Sequence, residues 1–336
     1  MNKPDEHDVL WDPNLPANAE LRHWQELLAP YAAQNRATLA HAPLAHPAQV
    51  VRRPRRALGA LAIAASLLLA LWAGHAYRLH WPEGQAWPLQ GALDVRSLAQ
   101  GERLQTAADQ TVQLQVARIG QLQIAPGSAL RLIESRSRRH RIELEHGRVH
   151  ARIWAPPGQF GIHSGAMQVI DLGCEFVLER NIEGSGSLSV LSGWVHQHIG
   201  GQEQLVPAGH TLQFTADSVD TPLRIDAPLA LRQALKALDQ ALRSADLAAD
   251  RDQLAAAVAA AARDEDQYTL ISLLLREPGL ASSPLYPRLA QALKMPATDA
   301  AHRAAWLQSD AAAMELWWQR LPSQPKRWWA HWRDAF

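Results

Sequence analysis

The longest uncharged segment of the chain is a mostly apolar run from Ala57 to Tyr77, bounded by Arg56 and Arg78. At about 1.5 Å of rise per residue, a helix over this run is about 31 Å long, close to the thickness of the hydrocarbon core of a bilayer. The alternative is a buried core helix, but such helices seldom continue this far without a charge. The pattern therefore predicts one transmembrane helix over residues 57–77.

Basic residues are concentrated on the N-terminal side of this run. They are Arg52, Arg53, Arg55 and Arg56, whereas the segment after the run begins with a single basic residue, Arg78. Because Lys and Arg are enriched in cytoplasmic flanks, this bias predicts a cytoplasmic N-terminus and an external C-terminus. The run begins too far along the chain to be a secretory signal peptide. Trp72, Tyr77 and Trp81 fall where an aromatic belt would anchor its far end.

Residues 1–56 contain one helical pattern, in which four apolar side chains recur at helical spacing. These are Leu21, Trp24, Leu27 and Leu28. One short helix cannot build a core of its own, so this stripe needs a partner or the membrane surface. The alternative is a partly ordered tail. The four residues are therefore the candidate cytoplasmic partner-binding site.

The pattern changes twice after the apolar run. Residues 78–90, with Pro82 and Pro88, are predicted to form a linker. Residues 91–216 then alternate apolar and polar positions in short strands broken by glycines, as in Val112–Val116. No helical pattern interrupts these strands. They predict an all-β domain of mostly antiparallel hairpins.

Residues 228–336 return to helical spacing. Leucines 231, 235, 238 and 242 form the seam of one helix. Further helices are predicted at 246–262, 268–275, 284–294, 299–308 and 310–320. The aromatic stripe formed by Trp317, Trp318, Trp328, Trp329 and Trp332 is expected either to pack against the preceding helices or to form a docking surface. The predicted fold is thus an α+β multidomain membrane protein with one transmembrane helix, a hairpin-rich β domain and a C-terminal helical region.

Charge and cysteine content exclude several classes of function. The 336 residues include 33 basic and 33 acidic side chains, so net charge gives no indication of direct nucleic-acid binding. The single cysteine excludes an intrachain disulfide and a multi-cysteine zinc site. We therefore expect a hydrophobic core alone to hold the external domains together.

No arrangement of residues predicts catalysis or a cofactor. There is no nucleophile elbow, zinc-protease motif or phosphate-binding loop. His196 and His198 share a strand face, and His146 and His150 could share another, but exposed strand faces often carry such pairs by chance. Cys174 lies in an apolar strand, where a buried and inert thiol is expected. The chain is predicted not to be an enzyme and to hold no metal.

The segment Arg136–Arg141 is predicted to be a basic hairpin tip. It is either a solvated turn or a contact for an anionic partner, such as an acidic protein face or lipid head groups.

Six short sequence phrases follow one another through the β region, beginning at Pro126-Gly-Ser and ending at Ala208-Gly. Their defining residues are Gly127, Ser128, Gly147, Phe160, Gly173, Cys174, Phe176, Gly193 and Gly209. The order resembles the FecR domain, which runs G-S, L-x-x-G-x-V, F-x-V-x-T, L-G-T-x-F-x-V, V-x-x-G-x-V and A-G. Cys174 replaces the usual threonine of the fourth phrase.

The resemblance implies a regulator in the bacterial inner membrane. Its periplasmic β domain would sense a signal from an envelope or outer-membrane protein, and its cytoplasmic segment would control an extracytoplasmic-function sigma factor. The family holds its sigma factor with a compact helical segment, whereas residues 1–49 offer one clear helix. The alternative function is therefore a membrane-tethered binding or scaffold module without a sigma-factor partner.

Overall fold

A computed structural model describes residues 22–24, 26–29, 55–90, 96–244, 250–295 and 300–325, with the backbone alone for residues 55–62. The chain divides into two compact units, Met1–Leu67 and Leu68–Phe336. In the first unit, the described residues before 30 are helical.

The apolar run lies within helix α1, Arg55–Leu79. Alanine and leucine, which favour the helix, dominate its sequence. From Ile63 to Arg78 every side chain is exposed. Judged on the described residues, none of the helices combines the length and the apolar character that a membrane crossing requires.

The described part of the second unit contains fifteen strands. They are β1 (Trp87–Gln90), β2 (Ser97–Leu98), β3 (Arg103–Gln105), β4 (Val112–Val116), β5 (Gly120–Ile124), β6 (Ala129–Arg136), β7 (Arg139–Ile153), β8 (Phe160–Ser164), β9 (Met167–Asp171), β10 (Glu175–Arg180), β11 (Gly186–Ser192), β12 (Trp194–Ile199), β13 (Gln202–Pro207), β14 (His210–Phe214) and β15 (Leu223–Arg224). Neighbouring strands are antiparallel except β7 and β8, which are parallel.

Strand β7 belongs to two sheets. One sheet has the order β2-β1-β4-β5-β7-β10-β11-β14-β15, and the other has the order β3-β6-β7-β8-β9-β12-β13. The first half of β7 pairs with β6 and β8, and its second half, from Gly147 onward, pairs with β5 and β10. Gly147 has φ +101°, a conformation that favours glycine and lets the strand bend between the sheets.

Alternating side chains of both sheets form one hydrophobic core. Leu114 and Leu122 come from the first sheet and Ile142 and Ile162 from the second, and all four are fully buried. Full burial of such a side chain contributes about 1.5–3 kcal/mol. The polar partners in each alternating pair face outward, which explains why the sequence predicted these strands.

The structure differs from the expectation for residues 78–90. Trp81 and Trp87 are buried, and strand β1 pairs with β2 and β4. The indole nitrogen of Trp87 donates a hydrogen bond to Ser135 Oγ at 2.7 Å. The large apolar area of the two tryptophans favours packing over a free linker, in spite of the prolines. The sheet also continues past residue 216, through β15.

The described C-terminal residues are helical, which confirms the α+β class. The α-helices are α2 (Leu229–Arg243), α3 (Arg251–Ala261), α4 (Gln267–Arg276), α5 (Leu285–Ala292), α6 (Ala300–Leu307) and α7 (Ala311–Trp318), with 3₁₀ turns at Asp264–Asp266 and Pro278–Ser282. Leu231, Leu235 and Leu238 are buried along the predicted seam. Trp306 and Trp317 are buried against Tyr286, whereas Trp328, Trp329 and Trp332 lie outside the described residues.

Candidate functional site

The predicted cytoplasmic stripe lies on the described helical residues 22–24 and 26–29. Trp24, Leu27 and Leu28 are each more than half exposed. Leu21 lies outside the described residues. The partner-binding role of the stripe remains a prediction. Its described apolar side chains are exposed and therefore available for contact with a partner.

Of the four arginines predicted to set topology, Arg55 and Arg56 form the first residues of α1. Arg52 and Arg53 lie outside the described residues. Their role in orienting the chain in a membrane therefore stays a prediction from the sequence pattern.

The C-terminal end of α1 is fixed to the β domain by Arg118, in the turn between β4 and β5. Its guanidinium lies 3.9 Å from the ring centroid of Tyr77 and 5.3 Å from that of Trp81. It also donates hydrogen bonds to the carbonyls of His80, at 2.7 Å, and Tyr77, at 3.2 Å. One arginine thus binds a carbonyl in the last turn of the helix, a carbonyl just beyond it and two aromatic rings, which favours a rigid joint.

Two further contacts complete this joint. The backbone N–H of Trp81 donates to Ser137 Oγ at 2.9 Å, and the same hydroxyl donates to the carbonyl of Trp81 at 3.0 Å. Arg78 donates to the carbonyl of Trp154. Ser137 precedes strand β7 and Trp154 follows it, so the end of α1 and the residues just after it contact the chain beyond both ends of that strand.

The predicted basic hairpin tip connects β6 and β7. Glu134 pairs with Arg136 at 2.6 Å and with Arg139 at 2.7 Å. Arg141 is buried and donates to backbone carbonyls, and this burial lowers its pKa to about 10. Arg138 at the tip is exposed. The tip therefore includes a buried structural arginine as well as a solvated turn.

The motif residues of the β region meet in pairs. Ser128 is buried, and its Oγ accepts a hydrogen bond from the N–H of Arg148 at 3.0 Å. A Cβ placed on Gly147 would lie 2.2 Å from this hydroxyl oxygen. The serine of the G-S phrase therefore requires the glycine of the L-x-x-G phrase, because a side chain at that position would overlap the serine.

A second pair joins the phrases that contain Gly173 and Gly193, with φ values of +84° and +72°. A Cβ on Gly193 would lie 2.3 Å from the carbonyl oxygen of Gly173 and 3.0 Å from the Cα of Cys174. The close backbone approach explains the glycine of the fifth phrase.

The remaining motif residues also have structural positions. Phe160 and Phe176 are fully buried in the core. Gly127 and Gly209 occupy turns with φ of +65° and +77°, where a Cβ would meet no neighbour. The motif residues described here therefore have structural roles in turns, in close backbone approaches and in the core.

Cys174 lies in a buried turn closed by Asp171. Its Sγ donates to Asp171 Oδ1 at 2.5 Å, and the same oxygen accepts the N–H of Cys174 at 2.9 Å. The N–H of Gly173 donates to Oδ2 at 3.0 Å. Burial raises the pKa of Asp171 to about 7 in spite of these hydrogen bonds, and burial beside Asp171 raises the pKa of Cys174 well above its usual value. The thiol is therefore protonated and unsuited to nucleophilic attack.

The β sheet and the C-terminal helices share a second hydrophobic core. Ile170, Leu172 and Trp194 from the β region pack with the leucines of α2 and α4. Trp194 and Tyr268 meet edge to face, with ring centroids 5.4 Å apart. The helical region is thus packed onto the second sheet.

A buried ionic contact fixes the same junction. Asp239 on α2 is 1% exposed and pairs with Arg276 at the end of α4. It also accepts the N–H of Thr221 at 2.9 Å and the hydroxyl of Thr221 at 2.8 Å. One carboxylate therefore holds two helices and the segment before β15.

The predicted histidine pairs make separate contacts. His150 lies 2.8 Å from Glu175, and His196 lies 3.6 Å from Glu203. Within the described ranges, no three His, Cys, Asp or Glu side chains group closely enough to hold a metal ion.

Sequence reasoning did not single out Arg118, Asp171 or Asp239. The carbonyl partners of Arg118 lie 38 and 41 residues away in the chain, so local spacing carries no signal for it. Asp171 stands between Ile170 and Leu172. A carboxylate within an apolar run of the sequence is a signal that would have found it.

Residues 102–196 match the family model described as FecR protein. The matched range includes the motif from Gly127 to Gly193, and Gly209 follows it. This confirms the resemblance inferred from the order of the phrases. The part of the chain that is similar to the FecR family therefore begins just before β3 and reaches into β12.

Two crystal structures of proposed anti-sigma factors from Parabacteroides distasonis ATCC 8503 are similar to part of the chain. The first is 15% identical, with a TM-score of 0.33, over 40% of this chain and 63% of that one. The second is 19% identical, with a TM-score of 0.28, over 41% of this chain and 61% of that one. This chain thus spans less than two thirds of either protein. No curated protein matches the chain.

Proposed function

We propose that the protein is a single-pass inner-membrane regulator of the FecR type that controls an extracytoplasmic-function sigma factor. The observation that carries this proposal is the FecR domain at residues 102–196, which follows an apolar helix joined to it by direct contacts. The protein acts by binding and by transmitting a change of position, rather than by catalysis.

The membrane-spanning role of α1 is part of the proposal. Its support is the uncharged run of residues 57–77, the four arginines that precede it, and the exposed apolar side chains of α1 from Ile63 onward. In this arrangement residues 1–56 are cytoplasmic, and the β and helical regions are periplasmic.

Residues Trp24, Leu27 and Leu28 are the proposed sigma-factor contact. Their exposure supports a role in binding, since burying each side chain would contribute about 1.5–3 kcal/mol. Tryptophan is the usual anchor of such interfaces, so Trp24 is expected to contribute most.

The joint at the end of α1 supports transmission of the signal. A single helix has no two-state element of its own, so the periplasmic domain must move it, change its association or expose it to proteolysis. The contacts of Arg118 and Ser137 couple the helix end to the β domain, and a rotation of that domain would therefore turn the helix.

The proposal is tested by co-purifying the tagged full chain with each extracytoplasmic-function sigma factor of its source genome. We expect one sigma factor to be retained, and Trp24→Ala to weaken its retention at least tenfold, as expected for an interface anchor. Leu229→Ala is the control, because Leu229 is an apolar residue of the proposed periplasmic region that is even more exposed than Trp24.

Three outcomes would contradict parts of the proposal. Retention of no sigma factor would leave the tethered scaffold module as the better interpretation. Equal effects of the two substitutions would remove the stripe as the contact. If a reporter that works only in the cytoplasm is active when it is fused after Phe336, the proposed orientation is overturned.

A further inference from the structure

A groove of about 510 Å³ lies between the last turns of α1 and the tip of the β6–β7 hairpin. It is lined by the aromatic, polar and basic side chains of Trp72, His75, Tyr77, His80, Ser137 and Arg138. Trp72 and Tyr77 are each more than 60% exposed. The groove therefore combines an open aromatic wall with a cationic one.

The contacts of the joint hold this groove in place. Ser137 is hydrogen-bonded to both the N–H and the carbonyl of Trp81, and its hydroxyl lies 3.3 Å from His80 Nδ1. The guanidinium of Arg118 lies 3.9 Å from the ring centroid of Tyr77. The two walls are thus fixed relative to one another before any ligand binds, which lowers the entropic cost of binding.

Arg138 is the cation available to a ligand. Its neighbours Arg136 and Arg139 share Glu134, whereas no acidic side chain in the described part of the chain pairs with Arg138. Arg138 also has φ +63°, a left-handed conformation that is uncommon outside glycine. The hairpin thus places an exposed guanidinium against the end of an apolar helix.

We infer that this groove binds the phosphate of an anionic phospholipid. The inference rests on the proposed function in one respect, namely that α1 spans the membrane. Guanidinium groups bind phosphate through paired hydrogen bonds, and aromatic side chains favour the head-group level of a bilayer. Below the groove, the exposed side chains of Leu68 and Leu71 continue the apolar surface along which an acyl chain would lie.

The bound lipid would orient the periplasmic domain. Because the hairpin tip is hydrogen-bonded to Trp81, just after the end of α1, a head group held by Arg138 keeps this face of the β domain on the membrane surface. The lipid would then be part of the joint through which the domain moves the helix.

The experiment is native mass spectrometry of the detergent-purified full chain, titrated with phosphatidylglycerol, with phosphatidylcholine of the same acyl chains, or with inorganic phosphate. We expect phosphatidylglycerol to bind more tightly than phosphatidylcholine. Arg138→Gln should weaken it about fivefold, the effect of one basic residue near an anionic surface. Arg138→Lys, which keeps the charge, should weaken the binding of phosphatidylglycerol less than Arg138→Gln does.

Arg320→Gln is the matched control, because it removes an exposed arginine of the C-terminal region that does not line the groove. Equal thermal melts of all variants show that folding is unaffected. Equal binding of the two lipids, equal effects at positions 138 and 320, or displacement of the lipid by inorganic phosphate at the same concentration would each overturn the inference. Carbonate extraction of cell membranes separates the two proposals: release of the wild-type chain overturns both, whereas retention without lipid preference overturns only the groove.

Discussion

At the scale of single residues, the FecR motif is a set of mutual contacts. Gly147 leaves space for Ser128, and Gly193 lies against the backbone of Gly173. The sequence predicted these positions through the order of the phrases. It could not predict which phrases meet, because glycine carries no side chain whose pattern reports its neighbour.

Gly193 and Gly209 have similar φ values, so comparing their variants distinguishes the effect of backbone strain from that of close packing. Gly193→Ala and Gly209→Ala both place a side chain at positive φ, which costs roughly 1–2 kcal/mol and lowers the Tm by roughly 2–6 °C. At Gly193 the new Cβ also lies 2.3 Å from a backbone oxygen, whereas Gly209 has open space. We therefore expect the fall in Tm of Gly193→Ala to be at least about twice that of Gly209→Ala.

The measurement is the thermal melt of each full-length variant in detergent, followed by circular dichroism. Equal shifts for the two variants would show that the close approach of Gly193 to Gly173 does not contribute to stability.

The buried carboxyl of Asp171 predicts a specific dependence of stability on pH. Its pKa rises from an ordinary value of 3.8 to about 7 on folding, because burial disfavours the charged form. The contribution of the neutral carboxyl is therefore fully present below about pH 4 and is lost as the pH rises through about 7. Asp171→Asn does not titrate, so it serves as the reference.

Urea unfolding of the wild type and of Asp171→Asn, at several values between pH 4 and pH 8, tests this prediction. The free energy of unfolding of the wild type should fall relative to that of the variant as the pH rises. A constant difference would show that the carboxyl does not titrate in this range. Subtracting the variant removes the opposite contribution of buried histidines such as His140, whose pKa burial lowers to about 4.

At the scale of secondary-structure elements, alternation identified the short strands because one face of each is buried. It predicted short strands broken by glycines, whereas β7 continues through Gly147 from Arg139 to Ile153 and bends there. It also missed β1, since Pro88 suggested a linker, and the burial of Trp87 depends on Ser135, which is 48 residues away. Tertiary contacts therefore decided these two elements.

The contact between α2 and α4 gives an element-scale prediction. Asp239→Ala leaves Arg276, which is 12% exposed, without its buried partner, and also removes the acceptor for Thr221. Breaking such a pair typically costs about 3–5 kcal/mol. Asp226→Ala, which removes an exposed partner of Arg224, should leave the melt nearly unchanged.

Differential scanning calorimetry of the two variants and the wild type measures this difference. A melt of Asp239→Ala that matches Asp226→Ala would indicate that the α2–α4 contact depends on the apolar core alone.

At the scale of the whole molecule, the sequence pattern identified the β and helical regions but predicted them as separate domains, whereas they share a hydrophobic core. Trp87 and β15 lie outside residues 91–216 yet complete the sheet, and Leu172 and Trp194 contribute to the core of the helical region. Apolar residues on the outer face of a strand resemble core residues in sequence, so the pattern gives no sign of which partner they bury against.

Fragment stability tests this integration. A fragment of residues 78–325 is expected to unfold in one cooperative transition, because the β and helical regions share a core. A fragment of residues 91–216 lacks Trp87 and exposes Trp194, so we expect it to be much less stable or to aggregate. Calorimetry of both fragments is the measurement, and equal melting temperatures would contradict the shared core.

The bend of β7 has a mechanical consequence. Arg78 at the end of α1 is hydrogen-bonded to Trp154, and Trp81 just after α1 is hydrogen-bonded to Ser137, so a pull on the helix reaches the chain just beyond both ends of this strand. Part of the load then runs along rows of backbone hydrogen bonds on both sides of β7. We therefore expect the domain to resist force applied through α1 far better than force applied through the short edge strand β15.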